Sequence, residues 1–87
     1  MTEINLLTDK LPLTDEVKNN VTPLVFKALS YFNQCDIDYR RLVIHGTKYK
    51  PQPTTLEELI QFFKDEEDTD TLDVLVDDLQ WEVEENN

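Results

Sequence analysis

Between residues 51 and 87 the chain carries thirteen carboxylates against one base, Lys64, yet its apolar residues there recur three and four apart. Few structures satisfy both conditions. A block with a net charge of −12 opposes its own compaction. Leucines kept in register within it point to helices that bury one narrow stripe and leave the charge outside. Leu56, Leu59, Ile60 and Phe63 mark one stripe, and Leu72, Leu75, Val76 and Leu79 mark a second. Thr55 followed three residues later by Glu58 reads as a capping box that opens a two- to three-turn helix. The run "DEEDTD" interrupts the apolar pattern, and Thr69 or Asp70 is placed to cap the next helix. The segment "LQWEVEE" stays open. Leu79, Trp81 and Val83 alternate as in a strand, while Val83 also prolongs the helical stripe.

The first half of the chain is nearly neutral, with six acids and seven bases in residues 1–50. "TEINLL" alternates weakly, as a short first strand or an ordered N-terminal arm would. Thr14 ahead of Asp15 and Glu16 is an N-cap followed by acids that suit the helix dipole. Thr22-Pro23 is a second cap, with proline at the first helical position. Helices are therefore expected at about 14–21 and 23–34, with Val17, Val21, Leu24, Ala28 and Phe32 as the apolar series. "IDYRRLVIH" is β-branched and aromatic, which predicts a strand ended by Gly46, the one glycine; "TKYKPQP" follows as a loop. The expected fold is a small single α+β domain spanning 1–87, mainly helical, with about four helices and one to three short strands.

Composition bounds the chemistry. Hydrophobic residues make up 39% of the 87, enough for a core in one small domain despite a net charge of −11. A lone cysteine, Cys35, excludes an internal disulfide framework and suits a reducing compartment. No apolar run reaches the ~18 residues of a membrane span, and "MTEINLL" lacks the basic start and long apolar stretch of a secretory leader. A soluble cytoplasmic protein without membrane attachment is expected, and a homodimer would supply buried area that so short a chain lacks.

Catalytic and metal chemistries find little support. Calcium loops need glycine at the sixth position and a bidentate acid at the twelfth. Counting from Asp68 these positions hold Asp73 and Leu79, and from Glu66 they hold Thr71 and Asp77. Zinc would find only Cys35 and His45. The same pair lacks the orienting group and oxyanion site of a thiol enzyme, and a lone cysteine after a helix suits a core position. No phosphate loop or dinucleotide fingerprint is present. Neither cofactor, metal nor enzymatic activity is expected.

The acidic block therefore reads as a binding surface. On a helical projection Asp70, Asp73, Asp77, Asp78, Glu84 and Glu85 lie opposite the leucines, with Val74 and Trp81 projecting among them. Asp65, Glu66, Glu67 and Asp68 extend the charge toward the N-terminus. A solubilising face has no need of a Trp, whereas an interface uses aromatic anchors ringed by polar groups. Carboxylates three and four residues apart stand roughly 5–6 Å from one another, a spacing of the order of that between phosphates on one DNA strand. In physical type the chain resembles small, very acidic proteins that imitate DNA and block nucleic-acid enzymes, many of them phage-encoded. What this implies is a non-enzymatic inhibitor whose partner is a protein with a basic, nucleic-acid-binding surface. Two alternatives are an immunity or antitoxin-like protein against a cationic toxin, and an acidic accessory or adaptor subunit. Direct nucleic-acid binding through Tyr39, Arg40, Arg41, His45, Lys48, Tyr49 and Lys50 is opposed by the overall negative field. Arg40 and Arg41 are expected to pair internally, with Asp36 and Asp38.

Overall fold

The computed structural model describes residues 5–45 and 53–85. These form five helices: α1 (Asp15–Asn20), α2 (Pro23–Gln34), α3 (Ile37–His45), α4 (Leu56–Glu67) and α5 (Thr71–Glu85). Among the described residues there is no strand, so the α+β expectation is wrong and the domain is helical.

Local signals place α1, α2 and α4 well. Thr14 Oγ1 accepts from the Val17 amide, Thr22 Oγ1 accepts from the Val25 amide, and Pro23 starts α2. Thr55 Oγ1 accepts from the Glu58 amide at 3.1 Å. Glu58 reaches one residue further back than a capping box requires: its Oε2 accepts from the Thr54 amide at 2.7 Å and from the Thr54 hydroxyl at 2.8 Å. The helix continues through Asp65, Glu66 and Glu67, where loss of apolar spacing had suggested a break. Gln61 Nε2 donates to Asp65 Oδ1 at 2.8 Å one turn along, and Asp68 closes the end through its amide.

The expected strand at 37–45 is α3. Asp36 caps it: its Oδ1 accepts from the Tyr39 amide at 2.8 Å, and its carbonyl accepts from the Arg40 amide. A strand must find a partner for its backbone groups, whereas a helix satisfies them internally. Among the described residues no partner strand is at hand. Residues 6–8 form a turn in which the Asn5 carbonyl accepts from Thr8 and Asp9, and residues 79–85, the other strand candidate, belong to α5. Residues 2–4 of the proposed first strand, Gly46 and most of the 47–53 loop lie outside the described residues.

The core gathers around α2, which packs on both α4 and α5. Its buried face is Val25, Ala28, Leu29 and Phe32, one residue round from the predicted series; Val17, Val21 and Leu24 are only half-buried. Leu59, Phe62 and Phe63 of α4 meet Leu72, Val76, Leu79 and Val83 of α5. Phe32 and Phe63 cross edge to face, with ring centroids 6.2 Å apart. Leu6 and Leu11 close the core from the N-terminal segment, where the Leu11 amide donates to Asn33 Oδ1 at 2.7 Å. The radius of gyration is 12.0 Å, so the acidic block folds with the rest instead of trailing as a tail.

Candidate functional site

Every acidic residue singled out in the sequence is exposed or half-buried, but they divide into two groups. Asp65, Glu66 and Glu67 form the last turn of α4, with Asp68 as its cap. Asp70 sits in the connecting turn with a positive φ of 21°, a region aspartate tolerates better than most residues. Asp73, Val74, Asp77, Asp78, Trp81, Glu84 and Glu85 lie on α5.

Helical phase orders the second group. Leu72, Val76, Leu79 and Val83 point into the core, and Val74 and Trp81 lie diametrically opposite, two turns or about 10 Å apart along the axis. They are 61% and 60% exposed, so Trp81 stands in solvent and the core alternative for it is excluded. The nearest helix-surface neighbours of Trp81, three and four residues away on either side, are Asp77, Asp78, Glu84 and Glu85, all carboxylates. Val74 shares Asp77 and Asp78 with it and adds Asp70 and Thr71. The crest of α5 is thus two apolar side chains set in a field of acids, and no base occurs within the helix.

Part of this charge opposes the helices that carry it. Acids in the last turn oppose the helix dipole, yet α4 ends in Asp65-Glu66-Glu67 and α5 in Glu84-Glu85. Glu67 has a structural use, since its Oε1 accepts from the Thr22 hydroxyl at 2.7 Å and ties α4 to the start of α2. Glu66 lines, with Asp78, a cleft between α3, α4 and α5.

The other candidates separate. Cys35 is buried, its Sγ 4.0 Å from the Leu79 carbonyl. Burial foremost, then the nearby Glu82, pushes its thiol up to about 11 against the opposing pull of Arg40, so it is protonated at neutral pH. His45 lines a different cleft, beside Leu6, Leu7 and Pro53. Among the described residues no three His, Cys, Asp or Glu side chains converge as around a metal ion, and no helix is long and apolar enough to cross a membrane.

The basic segment resolves in a way the sequence did not suggest. Arg41 pairs with Asp38 at 3.8 Å on the surface, as expected. Arg40 is 5% exposed and donates to main-chain carbonyls: Nε to Phe32 and Cys35, Nη1 to Leu6 and Asp9, and Nη2 to Asn33. It serves the fold and is withdrawn from any nucleic-acid surface; Lys48, Tyr49 and Lys50 lie outside the described residues. Comparison of the chain with protein-family models, curated proteins and solved structures yields no match.

Proposed function

We propose that this protein is a non-enzymatic inhibitor whose α5 crest occupies the basic groove of a nucleic-acid-binding enzyme. The observation that carries the reading is the exposure of Val74 and Trp81 at the centre of a base-free carboxylate field. The regular helical spacing of Asp73, Asp77, Asp78, Glu84 and Glu85, with Asp70 in the turn before them, presents fixed negative charge to lysine and arginine side chains that otherwise meet phosphates. Trp81 and Val74 supply the apolar contact that a nucleic acid provides with its bases and sugars. Acids at the ends of α4 and α5 cost helix stability, and a gain in association offsets that cost. The field steers encounter, so association is fast and falls steeply with ionic strength.

The test is competition. Immobilised protein is exposed to a cell lysate, and each retained protein is challenged with duplex DNA and with salt. A parallel column carries the Asp73→Asn, Asp77→Asn, Asp78→Asn variant. A nucleic-acid enzyme that duplex DNA displaces and the triple variant fails to hold supports the reading. A partner indifferent to DNA, or held equally by both columns, overturns it and favours an adaptor.

A further inference from the structure

Beside the crest lies a second surface, of different character. The cleft between α3, α4 and α5 measures about 280 Å³ and is floored by Tyr39, Leu42, Val43, Phe62 and Leu75. That is below the ~300–1,000 Å³ of sites that enclose small ligands, and suits one or two anchoring side chains of a larger partner. Leu42 is 62% exposed, more than any other large apolar residue among those described. The packing of α3 does not account for it, since α3 turns Arg40, Val43 and Ile44 inward and leaves Leu42 facing the opening.

The rim gives the sign of the occupant. Glu66 lines the cleft from α4 and Asp78 from α5, and among the described residues no base lines it. Tyr39 senses the same field: burial first, then Asp78, Cys35 and Glu82, raises its pKa. Phosphates, acidic peptides and anionic lipid surfaces are repelled here, whereas lysine and arginine are drawn in. An apolar floor under an acidic rim matches a helix-in-groove mode, in which aliphatic residues of one face insert and flanking bases meet the rim.

We propose that this cleft docks an amphipathic, lysine- or arginine-bearing helix of a protein partner, with an aliphatic side chain between Leu42 and Leu75 and basic groups on Glu66 and Asp78. The proposal goes beyond nucleic-acid mimicry and does not depend on it, since Tyr39, Leu42, Val43, Phe62 and Leu75 belong to the cleft and not to the crest.

The experiment titrates the full isotope-labelled chain with two designed helical peptides of equal charge, one with leucines along a single face and lysines elsewhere, the other with serines in place of the leucines. The leucine peptide is expected to move the amide resonances of Leu42, Val43 and Leu75, and the serine peptide to leave them in place. Leu42→Ser is expected to weaken the leucine peptide about tenfold. The Asp73→Asn, Asp77→Asn double variant, which alters only the crest, leaves it within about twofold. Asp78→Lys, a rim reversal on an exposed helical position, weakens it as well and keeps the test valid should Leu42→Ser disturb α3. Equal perturbation by both peptides, unchanged affinity in Leu42→Ser and Asp78→Lys, or shifts confined to the Val74–Trp81 crest would overturn the proposal. Because this test reads shifts at Leu42, Val43 and Leu75 and the DNA competition reads a nucleic-acid enzyme held on the crest, failure here leaves the inhibitor reading standing, and failure of the DNA competition leaves this one standing.

Discussion

Arg40 Nη1 donates to the Leu6 carbonyl at 3.1 Å across thirty-four residues of chain, joining the N-terminal segment to the start of α3. The same guanidinium takes the Phe32 carbonyl, which also accepts from the Cys35 amide, and the Asn33 carbonyl, both at the end of α2 where the helix dipole is negative. One planar cation with five donors thus closes three elements that apolar contact alone leaves loosely joined.

Arg40→Met is expected to destabilise the protein by about 2–4 kcal/mol, since each buried acceptor left unpaired costs about 1–3 kcal/mol. Arg40→Lys recovers part of that, because a point charge cannot span carbonyls on three sides. Urea denaturation measures both. A loss under about 0.5 kcal/mol in Arg40→Met, the size of an ordinary surface substitution, would mean that water satisfies the carbonyls.

Neutralising Asp73, Asp77 and Asp78 together with Asn is expected to leave the fold intact and to raise Tm modestly at low salt. All three are exposed and their removal lowers self-repulsion, although Asp73 in the first turn of α5 gives back a little dipole stabilisation. The gain disappears near 1 M salt, where the screening length falls to about 3 Å. Unfolding of the triple variant would mean that these acids serve the core and not an interface.

Trp81 is the one tryptophan and reports directly on the crest. Its fluorescence is expected to be quenched more efficiently by caesium than by iodide, because Asp77, Asp78, Glu84 and Glu85 surround it. Acrylamide quenches it freely, and the ionic preference fades as salt is raised. A blue-shifted, poorly quenched emission would place the ring in an apolar contact and remove the anchor from the proposed interface.

Hydrogen bonds from the Thr54 amide and hydroxyl lower the pKa of Glu58 below its ordinary 4.5. A carboxylate depressed in the folded state stabilises above its unfolded pKa, and that contribution is lost as pH falls from 4.5 through the folded value. Glu58→Gln is therefore less stable than the parent at pH 7, and the two converge as pH falls below the folded-state value of Glu58. Denaturation curves at several pH values compare them. Thr55→Ala removes the cap itself, at a cost of about 1 kcal/mol, with no such pH dependence.

Cys35 moves in the opposite sense. Its thiol is raised from 9.0 to about 11 by burial, so the folded state holds its proton more tightly than the unfolded chain. The associated stability is complete below pH 9.0 and is lost as pH climbs through about 11. Cys35→Ala is expected to flatten that decline, and native Cys35 to resist alkylation at pH 8 until urea opens the core. Rapid alkylation of the folded protein would show that the thiol is accessible.

What the sequence determined by itself is what local physics controls. Thr14, Thr22-Pro23 and Thr55 place three helix starts because a cap bonds amides two or three residues away. The stripe Leu72, Leu75, Val76 and Leu79 is legible among the acids because burial repeats at the period of the helix, only Leu75 being left half-buried, and the acids opposite it are legible as a surface for the same reason. Tertiary structure decided the remainder. Ile37–His45 has the composition of a strand and becomes α3, since among the described residues no strand stands beside it and Asp36 caps a helix instead. Arg40 carries no local sign of its partners, since the Leu6, Asp9, Phe32 and Asn33 carbonyls reach it only when two helices and the N-terminal turn converge. Trp81 could have entered the core as a strand residue. Its exposure follows from the docking of α5 on α2 through Leu72, Val76, Leu79 and Val83, a face that leaves the ring on the far side among the acids. Spacing along a chain sets which residues share a face, and packing between elements sets which face meets solvent.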